Sequence, residues 1–115
     1  FRQRYKFIGF TPQIITLTLK NQKTIIRLNV FIQVEKKNYD QVVSIAKDLV
    51  AASQKDNGCV AYDLFQSTTR QDVLMICETW KDAASLAAHE QAAHFTTLVP
   101  KIQELAAMKL EKFEF

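Results

Sequence analysis

Two histidines stand five residues apart in His89-Glu90-Gln91-Ala92-Ala93-His94, and Glu78 and Trp80 alternate shortly before them. These side chains can take up and hold protons: a neutral imidazole is a base near neutral pH, and a carboxyl in a strand must pair with a cation or orient a neighbour by hydrogen bonding. Asn29, far upstream, adds a hydrogen-bonding amide. With Phe31, Tyr62 and Phe95 as an aromatic wall, the set describes a pocket holding a few convergent polar groups. Each residue also has a plainer use: the histidines as caps or core filler, Trp80 as core, and Asn29 as a partner for backbone groups. Metal ligation is not expected. On a continuous helix five residues turn through about 500°, so the imidazoles point about 140° apart, whereas the zinc-protease spacing is i, i+4. The chain has no Gly-rich phosphate loop, no G-x-S-x-G elbow and no Cys-x-x-Cys, and no cofactor is expected.

The elements that must position these residues follow from periodicity. Thr24 to Val34 alternates, with Ile26, Leu28, Val30, Ile32 and Val34 on one face, and predicts a strand. Its other face (Ile25, Arg27, Asn29, Phe31, Gln33) is mixed and suits a second interface or a polar cavity. Asn38 is expected to cap a helix over Tyr39–Ala52, ended by Asp56-Asn57-Gly58. Val60–Ser67 and Val73–Trp80 read as a hairpin. Asp82 is expected to cap the next helix, Pro100 to cut it before a last helical stretch over Lys101–Met108, and Lys109–Phe115 to close as a strand.

Strand, helix, strand, strand, helix, strand is the split βαβ, ferredoxin-like order of an α+β domain, two helices covering one face of a four-stranded antiparallel sheet. The uncovered face predicts a homodimer whose sheets face each other. Residues 24–115 make one domain, preceded by a basic arm over 1–23 that reads as extended. The chain has 115 residues and a net charge of +3; residues 1–34 carry six basic and no acidic side chains, and the remainder nine basic and twelve acidic. That distribution gives no basic face interleaved with stacking aromatics, so nucleic acid is not an expected partner. The two cysteines are too few for a disulfide framework and fall on the order of 10 Å apart in the hairpin, which predicts free thiols and a cytoplasmic setting. The longest uncharged stretch, residues 7–19, is too short and polar to cross a bilayer, and no small-residue cleavage site follows it.

Four segments in order, Gly58-Cys59-Val60-Ala61-Tyr62, Glu78-Thr79-Trp80-Lys81-Asp82, Ser85-Leu86-Ala87-Ala88-His89 and His94-Phe95, resemble the antibiotic biosynthesis monooxygenase family. The resemblance covers about residues 24–115. It implies a dimeric α+β barrel that oxygenates a small phenolic or quinol-type aromatic with O₂ and without metal or flavin. On that footing His89 is expected as the base, with His94 second and Glu78 or Asn29 orienting the base or binding the substrate oxygen. Trp80 would wall the pocket and donate to the substrate. Similar chains include an isomerase of a phosphorylated carbonyl compound, for which Arg27 would hold the phosphate, and haem-degrading enzymes, whose ligand position falls on Glu90 here. A non-catalytic, small-ligand-binding dimer is the remaining alternative.

Overall fold

The computed structural model describes residues 24–115; the basic arm over 1–23 lies outside the described residues. The elements are β1 (Ile26–Val34), α1 (Lys36–Ser53), β2 (Cys59–Gln66), β3 (Val73–Trp80), α2 (Ala83–Gln91), α3 (Ala93–Leu105) and β4 (Ala106–Glu114). The four strands form one antiparallel sheet in the order β2-β3-β1-β4, so β3 and β1 are central and β2 and β4 form the edges. Alternation decides which face of β1 is buried: Ile26, Leu28, Val30, Ile32 and Val34 are all covered. They pack with Leu74, Ile76 and Trp80 of β3, Tyr62 of β2, Val42, Ala46 and Leu49 of α1, Leu86 of α2 and Ile102 of α3. Helices α1 and α3 lie against each other above this face.

Three expectations need correction. Helix α1 begins at Lys36 with Glu35 at its N-cap. Asn38 is therefore within the first turn, and its amide donates instead to the Leu105 carbonyl at 3.3 Å, tying α1 to the end of α3. Pro100 does not cut the helical region; α3 runs through it to Leu105, and β4 starts at Ala106. Proline removes one i→i−4 hydrogen bond, and here it does so at an exposed position where water can replace the missing donor. The break comes earlier, at Ala92, whose φ of −69° and ψ of 149° are extended; its N–H bonds to the His89 carbonyl and its own carbonyl accepts from Thr96 N–H, both at 3.0 Å.

Two local devices hold the turn after α1 beneath α2. Asp82 caps α2 as expected, accepting from Ser85 N–H at 2.8 Å and from the Ser85 hydroxyl at 2.7 Å. Gly58, at φ +84°, comes so close to Ser85 that a Cβ there would collide with the Ser85 side chain. Both the left-handed conformation and the space demand glycine. Its carbonyl accepts from Lys81 N–H at 2.9 Å. Together these fix residues 56–58 against the start of α2.

Candidate functional site

Asp56 is the centre of the site. One oxygen, Oδ2, lies 2.7 Å from His89 Nδ1 and 2.8 Å from His94 Nε2. With Asp56 as a carboxylate, both imidazoles donate to it, which leaves the lone pairs on His89 Nε2 and His94 Nδ1. The extended residue at Ala92 makes this possible: it reorients α3 relative to α2, so two side chains that would diverge on a straight helix converge on one oxygen. The expected divergence of about 140° holds only for an unbroken helix. Sequence reasoning missed Asp56, which reads as part of a helix stop signal; nothing in its spacing announces a partner 33 or 38 residues away.

His89 is 2% exposed and set among rings. Trp80 stacks on it at a centroid distance of 4.6 Å and 33°, and Tyr62 and Phe95 present edges at 5.5 Å and 5.2 Å. Burial lowers its pKa from the usual histidine value, more than the neighbouring Asp56 carboxylate raises it. The neutral imidazole is thus the resting form, and its Nε2 is buried with no hydrogen-bond partner. A buried, unpaired acceptor is costly in a purely structural setting.

Glu78 is 5% exposed and shares the covered face, opposite Tyr62 in the β2–β3 register. It accepts the Trp80 indole N–H at 2.8 Å. Desolvation pushes its pKa up to about 7; the hydrogen bonds from Trp80 and Tyr62 pull it back, and the nearby Glu90 charge adds a little. The indole N–H expected to orient a substrate is therefore engaged by Glu78. A cavity of about 220 Å³ lies between this face and α3, lined by Tyr62, Glu78 and Phe95 within a largely aliphatic wall. His89 abuts two of these lining rings without being a lining residue itself.

Glu78, Trp80, Tyr62, His89, His94 and Phe95 are thus brought together, whereas Asn29, Phe31 and Arg27 are not. Asn29 pairs with Cys77, Phe31 with Met75 and Arg27 with Thr79, and that row faces away from the helices. The physical reason is strand parity: Leu28, not Asn29, stands beside Glu78. Asn29 accepts there from the Cys77 thiol at 3.6 Å, and Arg27 donates to the Thr79 hydroxyl at 3.5 Å. Both cysteines are free, and Cys59 sits opposite Trp80, three residues from Cys77. No described helix is long and apolar enough to cross a membrane.

As metal ligands, Asp56, His89 and His94 offer three atoms within 4.8 Å of one another. The two N···O separations are hydrogen-bond distances, shorter than the roughly 3.3 Å between ligands around a tetrahedral ion. The arrangement as it stands is a carboxylate bridging two imidazoles.

Known proteins resemble the chain in sequence and in fold. It is 32% identical over 84 residues, 73% of this chain and 88% of the other, to the Bacillus subtilis (strain 168) protein named "Putative monooxygenase YcnE". A Bacteroides thetaiotaomicron VPI-5482 crystal structure, described as a conserved protein of unknown function and "Possible Oxidoreductase", is 59% identical with a TM-score of 0.79, covering 80% of this chain and 98% of that one. A crystal structure described as an antibiotic biosynthesis monooxygenase is 26% identical with a TM-score of 0.70, covering 78% and 95%. Residues 25–101, which carry β1 through most of α3 and every member of the Asp56 site, match the family pattern of the antibiotic biosynthesis monooxygenases, and the chain belongs to that family.

Proposed function

We propose that the chain is a cofactor-independent monooxygenase that oxidises a small phenol or hydroquinone with O₂, the Asp56-oriented His89 acting as base. The observation that carries this reading is the buried, unpartnered Nε2 of His89, whose tautomer Asp56 fixes from the other side of the ring. A hydroquinone hydroxyl has a pKa of about 10, as in tyrosine, so it needs a base to ionise near neutral pH. A ring seated against Tyr62 and Phe95 gives its proton to Nε2 once those two side chains, which pack on His89, shift to expose that buried atom. The electron-rich anion then reduces O₂ directly. One oxygen atom is added to the ring and the other leaves as water, and the product is the hydroxyquinone. The carboxyl of Glu78 accepts from a substrate hydroxyl, and the aliphatic wall limits water around the reacting anion. An engineered cavity of about 150 Å³ holds benzene, so about 220 Å³ takes one substituted ring. The phosphorylated-carbonyl isomerase, which would use the same histidines, lacks the phosphate holder expected for it, because Arg27 lies on the opposite face of the sheet.

Oxygen uptake by metal-free, flavin-free protein against a panel of hydroquinones is expected to exceed autooxidation for at least one of them. No enzyme-dependent uptake across the panel rejects the reading in favour of a ligand-binding protein. The mixed face bearing Phe31, Met75 and the half-exposed Phe65 is proposed to pair with a second copy of the chain. Light scattering on the eluting peak is expected to give twice the monomer mass, and a monomer at micromolar concentration rejects that pairing.

A further inference from the structure

Among the described residues the cavity has one buried carboxyl and no buried cation. Glu78 lines it at depth; its other charged lining residues among those described, Glu90 and Lys109, are exposed. The Trp80 N–H at 2.8 Å and the Tyr62 hydroxyl already donate to Glu78, and a carboxylate, with about four lone-pair sites, has further acceptor sites to offer. A hydroxyl entering the cavity can donate to that carboxyl. An anionic group entering in its place meets a like charge at depth, where the one cation among the described lining residues, Lys109, is out at the exposed rim, a costly arrangement away from bulk water. We propose that Glu78 makes the cavity a charge filter, admitting uncharged ring compounds that lead with a hydroxyl donor and refusing carboxylates, sulfonates and phosphates that lead with their charge. The proposal rests on reading the cavity as the substrate site, although not on the oxygen chemistry.

The surroundings of Glu78 decide how the filter responds to pH. From β2 it faces Tyr62 and, more remotely, Cys59; α2 supplies Glu90 and, behind the Trp80 and Tyr62 rings, His89, and Lys109 of β4 stands at the rim. Toward the cavity α1 and α3 contribute only the uncharged Leu49, Phe95, Val99 and Gln103. Tyr62 and Cys59 are both pushed further up by burial and stay neutral below pH 8.5. Glu78 therefore controls the negative charge at depth, while protonation of His89 at acid pH works in the same direction and must be separated from it by a variant.

Trp80 is the only tryptophan in the chain, so its emission reports on the site. Phenol and benzoate, matched in size and differing in charge, are titrated against it. At about pH 8.5 phenol is expected to bind about tenfold more tightly, the order expected for one like charge at close range. The ratio should shrink at about pH 5.5, and in Glu78→Gln it should collapse toward one at both pH values. Equal binding at the higher pH, a ratio unchanged both by pH and by Glu78→Gln, or no response of Trp80 to phenol overturns the proposal. The pH series on the unaltered protein keeps the test decisive if the variant fails to fold. A phenol preference without O₂ uptake from any hydroquinone leaves the filter standing and rejects the monooxygenase; uptake without a preference does the reverse.

Discussion

Replacing His89 with glutamine is expected to lower kcat for hydroquinone-dependent oxygen uptake by about a thousandfold, within the range of about 10² to 10⁴ that a positioned general base supplies. Glutamine is the informative substitution because its amide can still donate to Asp56 while offering no basic nitrogen. The loss should fall on kcat with little change in KM, since in the proposed reaction Nε2 takes the proton in the reacting step, not on binding. The pH profile supplies a second signature. Burial lowers the His89 pKa, so the acid limb of the wild-type profile should lie below the ordinary histidine value of 6.5. As the pH approaches the substrate's own pKa of about 10, the hydroquinone ionises unaided and the variant should converge on the wild type. An oxygen electrode, corrected for autooxidation, measures all of this. A variant within about twofold of wild type at neutral pH removes His89 from the chemistry.

Replacing Glu78 with glutamine is expected to stabilise the protein, and only above acid pH. In the folded chain Glu78 titrates near 7 against an unfolded value of 4.5. Between those values the native state holds a proton that the unfolded chain has lost, so stability falls as pH rises through this window and levels off above it. The full effect is on the order of 3 kcal/mol. Glutamine keeps an acceptor for the Trp80 indole, although a weaker one than a carboxylate, which offsets about a third of the gain by the usual strength of charge-assisted bonds. About 2 kcal/mol should remain at about pH 8, a rise in Tm of about 10 °C for a domain this small, and nothing at about pH 4. Thermal melts at the two pH values check the sign. A variant that is equally or less stable at both shows that Glu78 is well solvated or well paired as an anion.

The architecture was legible because it is written in periods. The alternation from Thr24 to Val34, the hairpin and the capping Asp82 each carry a local physical signal, and β3 occupies the expected residues, Val73–Trp80. The site was half legible. Its histidines, Glu78, Trp80, Tyr62 and Phe95 stand out as residue types in the right segments. Alternation within a strand says which residues share a face, but not which face meets which across a ladder, so Asn29, Phe31 and Arg27 were grouped with residues on the other side of the sheet. The break at Ala92 carries no glycine or proline. It is compensated by tertiary hydrogen bonds to Asp56, whereas the visible breaker, Pro100, is tolerated inside α3. Asp56 itself looks like a residue that ends a helix, although α1 already ends at Ser53 and Asp56 lies in the turn beyond it.

The carboxylate bridge has a kinetic side. Asp56 meets His89 and His94 across 33 and 38 residues of chain, and contacts of that separation must first meet the entropy of closing large loops. The hairpin and the individual helices need no such closure. Folding therefore precedes reactivity: a chain that has formed its local elements but has not docked α2 and α3 over the turn at Gly58 still carries two ordinary, solvated histidines. Until that docking is complete, a newly made chain has neither the fixed tautomer nor the dry surroundings that the proposed oxidation of a hydroquinone requires.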